Sequence, residues 1–278
     1  MSIITYVTKT SEMIASIVRR IKKFLSFGKY EKRFRIRKSF NMSISSSLLT
    51  NYLKEKGVQI GGGTIFHDPN TTGVATQRPW MISIGKYCKI TGGVVILDHD
   101  YSRSVLRMRY GDILGECRKT EIGDNVFIGL NSIILMGTHI GNNVIVGAGS
   151  VVSGTFPDDV VIAGNPAKVI CTLEELYEKR KKRYVEEGKL YAREFYLRYN
   201  RIPTVREMGP FFPLFLERSQ EALAKNNVWT KWNGDDEKGI IESFMHSEPD
   251  FNSYVDFLIT SLEGVLSENS IKKQLNVL

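Results

Sequence analysis

Asp98, His99 and Asp100 stand side by side where the apolar run Val94–Leu97 gives way to a polar, arginine-bearing stretch, in "VVILDHDYSRSV". Residues of these types suit proton transfer. An imidazole exchanges its proton near neutral pH, and a carboxylate can hold one ring nitrogen while the other works as a base. Neighbouring side chains on an extended backbone point to opposite faces. At most one of the two aspartates can therefore reach the ring, and the residues alone do not say which. Taken alone, the tripeptide has a plainer reading, a histidine capping the end of a strand.

What must position His99 is written further along the chain. Residues 122 to 157 read "IGDNVF IGLNSI ILMGTH IGNNVI VGAGSV VSGTFP". An aliphatic residue returns at every sixth place: Ile122, Ile128, Ile134, Ile140, Val146 and Val152. Glycine follows it at Gly123, Gly129, Gly141 and Gly147. A helix would want spacings of three and four, and a simple strand a spacing of two. A period of six predicts short flat strands joined by tight corners, with the aliphatic residue inward and the glycine easing the turn. Three such sides close a triangular coil, and coils stack at about 4.8 Å through backbone hydrogen bonds. "VQIGGG" around Ile60 and "ISIGKYCKITGG", with Ile84 and Ile90, fit the same scheme. The interval 98–120 does not. It is too long for a corner and predicts a loop thrown out from the coil, with His99 at its start.

The stretches "ILDHDYS", "TEIGDNVFIGLNSIIL" and "IVGAGSVVSGTFPDDVVIAGNPAKVI" resemble the hexapeptide-repeat acyltransferases, and among them the bacterial polysaccharide O-acetyltransferases. The resemblance covers roughly residues 57–171. It implies a mainly β fold, a left-handed parallel β-helix; the usual rule for parallel crossovers would have predicted right-handed ones. It also implies acetyl-CoA as co-substrate, a carbohydrate acceptor, a homotrimer, and no metal. Transfer from a thioester to a hydroxyl needs a base within hydrogen-bond reach, donors for the developing oxyanion and a cleft for the pantetheine arm. The family's base matches His99. Of the other histidines, His67 lies in the turn-like "FHDPN", His139 at a repeat corner and His246 in a polar C-terminal stretch.

The coenzyme groove is carried over one residue at a time. Phe127 stands where many relatives have tryptophan, near the thioester end. Gly129, Gly147 and Ala148 are small enough to let a cofactor lie against backbone, although both glycines also belong to the repeat. Ser153 matches a threonine that touches the coenzyme, and Lys168, in "GNPAK", a basic residue that reaches the adenosine phosphates. Relatives often have lysine after that threonine, where this chain has Gly154, so phosphate binding would lean on Lys168 and the basic run Lys179–Arg183. Tyr101, Ser102 and Arg103 are candidates to line the acceptor site.

Composition sets the outer limits. The 278 residues are 42% hydrophobic and 24% charged, as in an ordinary soluble globular protein. There is no apolar run of the roughly 18 residues that span a membrane, and no secretory pattern is read at the N-terminus. Cys88, Cys117 and Cys171 are odd in number and scattered, which suggests neither disulfides nor a zinc knuckle. A cytoplasmic protein, or one held at the inner membrane surface, is expected. The net charge of +8 is uneven: residues 1–56 hold 13 Lys/Arg against 3 Asp/Glu, 57–171 hold 9 against 9, and 172–278 hold 16 against 18. Basicity thus belongs to the N-terminal segment and not to the coil, and no nucleic-acid partner is expected.

Three parts follow: a basic helical segment (1–56), the coil with its loop (57–171) and a helical C-terminal region (172–278). In "SEMIASIVRRIKKFLSF", residues 11–27, the apolar residues form one helical stripe and Arg19, Arg20, Lys22 and Lys23 lie off it. The stripe could dock on the end of the coil or on another subunit, or meet an anionic membrane surface or polymer. Thr172 and Glu175 form a capping-box pattern that opens a helix through about residue 198; further helical stretches are expected near 213–226 and 251–266. The alternatives to sugar O-acetylation are transfer to a nucleotide sugar, an antibiotic or serine, and a non-catalytic scaffold. The same coil can also hold a zinc-dependent carbonic anhydrase, which needs three converging histidines.

Overall fold

The computed structural model describes residues 3–228 and 234–275. Its contacts divide the chain into two units, Met1–Cys171 and Thr172–Leu278.

The period of six builds the first unit. A first coil is made by β1 (Gln59–Ile60), β2 (Ile65–Phe66) and β3 (Gly73–Val74), and a second by β4 (Ile82–Ile84), β5 (Lys89–Ile90) and β6 (Val95–Ile96). A third follows with β7 (Thr120–Ile122), β8 (Phe127–Ile128) and β9 (Ile133–Ile134), and a fourth with β10 (His139–Ile140), β11 (Ile145–Val146) and β12 (Val151–Val152). The strands β13 (Thr155–Phe156), β14 (Val160–Gly164) and β15 (Ala167–Thr172) finish the stack. Strands three apart pair in parallel, and β15 joins the edge beside β14, giving three sheets: β1-β4-β7-β10-β13, β15-β14-β11-β8-β5-β2 and β12-β9-β6-β3. The fold is the left-handed parallel β-helix.

The six periodic aliphatic residues are in register and inward. Ile122 pairs with Ile140, Ile128 with Val146 and Ile134 with Val152, each 18 residues on. None of the six is more than 3% exposed. Burying a side chain of this kind contributes about 1.5–3 kcal/mol. Polar side chains trapped at the corners are satisfied by backbone: Ser150 Oγ donates to Gly147 O at 2.6 Å and Thr138 Oγ1 to Leu135 O at 2.7 Å.

The repeat glycines do a different job from the one expected. The left-handed residue at each corner comes two places later, at Asn125 (φ 54°), Asn131 (φ 58°), Asn143 (φ 55°) and Gly149 (φ 69°). Asn is among the few side chains that visit this region readily. Gly123 and Gly129 are instead required by stacking, because a Cβ on Gly123 would sit 2.5 Å from Gly141 O and one on Gly129 2.5 Å from Ala148 N.

The N-terminal helices are α1 (Ile3–Leu25), α2 (Lys29–Ser39) and α3 (Ser46–Lys56). The open end of the coil is closed by α3, whose Leu48, Leu49 and Leu53 join Val58, Ile60 and Phe66 in one core. Ser45 caps this helix, its Oγ accepting from Leu48 N at 3.2 Å, and Gly57 ends it at φ 111°. The apolar stripe of α1 does not seal the coil, contrary to one expectation from the sequence. Met13, Ile14, Ile17, Val18, Ile21 and Leu25 are 43–64% exposed, because α3 already occupies the place. Against α3 lies α2, with Phe34 stacked on Tyr52 at 4.2 Å.

Between β6 and β7 the chain leaves the coil and forms a short helix, α4 (Arg103–Tyr110). The second unit is helical: α5 (Leu173–Tyr199), α6 (Gln220–Lys225), α7 (Glu237–Met245), α8 (Tyr254–Ser261) and α9 (Glu268–Gln274). The capping box at its start is present, with Glu175 N donating to Thr172 Oγ1 at 3.1 Å and Thr172 N to Glu175 Oε2 at 2.8 Å. Met208, Leu214, Phe257, Leu258 and Ile271 are fully buried. They give this unit a hydrophobic core of its own. No described helix is long and apolar enough to cross a membrane.

Candidate active site

The loop begins where β6 ends. The backbone bends at Asp98, so the alternation of an extended strand stops there, and Asp98 and His99 need not face opposite ways. The Asp98 side chain is completely buried, and its Oδ1 meets His99 Nδ1. Its Oδ2 accepts from the backbone N–H of Arg78 at 2.6 Å. The carboxylate thus has a partner on each oxygen, as a buried carboxylate requires. His99 itself keeps 23% of its side chain exposed. Of the two aspartates left open by the sequence, Asp98 is the one at the ring.

Asp100 turns the other way. Its Oδ1 accepts from Ser102 N at 2.9 Å and Ser102 Oγ at 2.6 Å. Those bonds, with help from Arg103, hold its carboxyl below the usual range. It fastens the entry into α4 and not the imidazole.

The feet of the loop are stitched together. Thr120, fully buried, donates from Oγ1 to Leu97 O at 2.8 Å and accepts from Gly137 N at 3.3 Å. Arg78 reaches across as well, with Nη1 donating to Glu116 O at 2.6 Å. His99 therefore stands on a base tied from three sides. Farther out, Arg103 and Arg107 of α4 line a hollow of about 230 Å³ with Ile113, Leu114 and Gly115. Tyr101 is 68% exposed. Arg107 was not singled out in the sequence; one turn of helix beyond Arg103 is the signal that would have found it.

The remaining candidates are spread around the prism. Ser153 follows β12 in the same sheet as β6, so it shares a corner with His99, two coils on. Gly129, Gly147 and Ala148 lie at the next corner, where β8 and β11 end. Phe127 is 41% exposed on the β8 strand. Lys168 is exposed on β15, at the edge of that sheet. A Cβ on Gly147 would come 2.8 Å from Ala163 Cβ, so coil stacking accounts for this glycine as it does for Gly129. One chain brings His99 and Ser153 to one corner; it does not bring Phe127, Gly129, Gly147, Ala148 and Lys168 to them.

The other histidines lie elsewhere. His139 Nδ1 is 3.6 Å from Glu121, and His246 Nδ1 is 2.8 Å from Glu242 O. Among the described residues no three His, Cys, Asp or Glu side chains gather as a metal would require. Cys88 is buried, which pushes its thiol up, and its Sγ lies 3.2 Å from Gly123 O.

Residues 119–153 match the family model described as the hexapeptide repeat of succinyl-transferase. The chain is 42% identical over 141 residues to Protein CapG of Staphylococcus aureus, covering 50% of this chain and 80% of that one. It is 37% identical over 119 residues to WbbJ of Escherichia coli, named as a candidate lipopolysaccharide biosynthesis O-acetyl transferase. That match covers 40% of this chain and 55% of the relative, so the chain spans about half the length of WbbJ. Among solved structures, a hexapeptide-repeat acetyltransferase of Vibrio cholerae is similar at 23% identity and a TM-score of 0.39, over 53% of this chain and 94% of the other.

Proposed function

The chain belongs to the hexapeptide-repeat acyltransferases, and we propose that it moves an acetyl group from acetyl-CoA to a hydroxyl of a bacterial surface polysaccharide or its precursor. The observation that carries the reading is the pairing of partly exposed His99 with buried Asp98 at the mouth of the loop. The relative named for lipopolysaccharide O-acetylation supports the choice of acceptor.

In this reading His99 is the general base. A carboxylate only accepts, so the proton shared with Asp98 sits on the Nδ1 side and the imidazole's lone pair is on Nε2. The sugar oxygen attacks the thioester carbon while its proton passes to Nε2. The tetrahedral intermediate then expels the sulfur, which takes the proton back from Nε2. The products are an acetyl ester and the free thiol of coenzyme A. Asp98 fixes the ring's tautomer and offsets the transient imidazolium charge, the role of the acid in a Ser-His-Asp triad.

The distribution of candidates over two corners supports a homotrimer with clefts between subunits. A corner bearing His99 and Ser153 and a corner bearing Gly147 and Ala148 can line one cleft only if a neighbouring prism supplies the second. Val105, Met108 and Ile113 of the loop are 68–87% exposed, and apolar groups of this size on a protruding loop favour burial against a neighbour. A cytoplasmic location, where acetyl-CoA is made, fits the same reading.

The test is release of coenzyme A by the purified full chain, followed with a thiol reagent across a panel of acidic and neutral glycans, nucleotide sugars and serine. Acceptor-dependent release with a polysaccharide supports the proposal. Release only with serine or a nucleotide sugar would move the acceptor; no release with any would remove the activity.

A further inference from the structure

The first helix carries a surface that acetyl transfer does not use. In α1, Met13, Ile14, Ile17, Val18, Ile21 and Leu25 are 43–64% exposed. At 3.6 residues per turn these six and Phe24 fall within an arc of about 140°. Arg19, Arg20, Lys22 and Lys23 fill the other side. Beside the end of α1, a groove of about 480 Å³ sets Arg20, Lys23 and Lys38 around Phe24, Phe27 and Phe40.

Acids are few in this segment. Between Glu12 and Glu55 the chain has one carboxylate, Glu31. It is 5% exposed and already paired with Lys56 at 2.7 Å and Arg35 at 2.8 Å. What is left outside is an apolar stripe bordered by Arg20 and Lys22.

We propose that α1 and the adjoining groove bind the surface of an anionic phospholipid bilayer, with the stripe among the acyl chains and the cations at the headgroup phosphates. Charge complementarity selects this occupant. A second copy laid on the stripe would bring Arg20 and Lys22 of both helices together with no countercharge. A soluble polyanion would meet the cations but leave the stripe in water. A bilayer answers both faces at once. The helix lies on the membrane and does not cross it: α1 carries Arg19, Arg20, Lys22 and Lys23 within its last two turns and is not apolar enough over its length to span a bilayer.

The experiment is sedimentation of the full chain with vesicles of phosphatidylcholine alone or with 30% phosphatidylglycerol. Each cation near an anionic leaflet strengthens partitioning about fivefold, so Arg19→Gln, Arg20→Gln, Lys22→Gln and Lys23→Gln together should weaken binding by about 10²-fold or more. Ile17→Asp with Ile21→Asp should abolish it. Both variants should keep the parent's circular dichroism and release of coenzyme A. The proposal is overturned if the parent binds both vesicle types equally, or if either variant binds as the parent does. It is also overturned if the Asp variant drops to a smaller oligomer without lipid, which would assign the stripe to a second copy. Binding of dextran sulfate without binding of anionic vesicles would assign the cations to a polymer and reject it as well.

Discussion

His99 and Asp98 are neighbours in sequence and partners in space, with Nδ1 of the one against Oδ1 of the other. The backbone N–H of Arg78 holds the second carboxylate oxygen at 2.6 Å, so the carboxylate is fixed before it fixes the ring. Changing Asp98 to Asn keeps an oxygen for Arg78 but turns an N–H toward Nδ1, which places the ring proton on Nε2. Turnover should fall about 10²-fold or more while the KM for acetyl-CoA stays the same. Changing Asp98 to Ala also leaves the Arg78 N–H without its partner, a further cost of about 1–3 kcal/mol in stability. Equal melting temperatures for the two variants would contradict this division of labour.

The base of the loop should be sensitive to Thr120. Thr120→Val keeps the shape and removes the bond to Leu97 O, leaving that carbonyl without its hydroxyl donor. We expect a loss of about 1–2 kcal/mol by chemical denaturation and a lower kcat. If only stability falls, the staple serves the coil and not the position of His99.

The hollow on α4 bears on the acceptor. Arg103→Gln with Arg107→Gln should raise the KM for an acidic glycan about tenfold and leave that for acetyl-CoA unchanged. An equal rise for a neutral acceptor would show that the arginines shape the loop and do not meet the acceptor's charge.

A cleft shared between chains predicts complementation. Light scattering should give roughly 95 kDa, three chains of 31.6 kDa. Ala148→Trp fills one corner and His99→Ala empties the other. Each homo-oligomer should be nearly inactive, whereas co-expressed mixed oligomers should regain activity at clefts that pair the intact corners. Mixed oligomers as inactive as their parents would place the site within one chain.

The second unit makes a separate claim about pH. Arg201 clamps Glu207 through two bonds, at 2.9 and 2.6 Å, and Thr204 N adds a third at 2.8 Å. The arginine and the Thr204 bonds together hold the Glu207 carboxyl at about 2, below the ordinary 4.5. A depressed carboxylate stabilises the fold fully above its unfolded value and loses that contribution as pH falls toward the folded one. A third of the side chain is exposed, so solvent screens the pair and Glu207→Gln should cost about 1 kcal/mol at pH 7. The gap in melting temperature to the parent should close between pH 4.5 and 2. A gap that persists at pH 2 would mean that packing, not charge, is lost.

How far the sequence could be read depended on the range of the interaction. The coil was legible because its contacts repeat: Ile122, Ile128 and Ile134 face inward by a local period. His99 was legible as the residue where that period fails. Asp98 was not, since the bend that turns it toward the ring depends on Arg78, 20 residues away and set by the coil below. The cap was misjudged for a related reason. The stripe of α1 is the more regular pattern, but α3 is the helix that reaches Val58 and Phe66. The glycines were seen for their flexibility when Gly123 and Gly129 are fixed by the backbone of the next coil. In the second unit α7 and α9 were missed, as each is short and carries only a few core residues, such as Ile271.

The central claim is that His99 takes the proton from the acceptor. Its direct test is the rate of coenzyme A release by His99→Ala with saturating acetyl-CoA and acceptor, alongside acetyl-CoA binding by calorimetry. The account predicts a fall in kcat of about 10²- to 10⁴-fold with unchanged affinity for acetyl-CoA. A variant that turns over like the parent would contradict it.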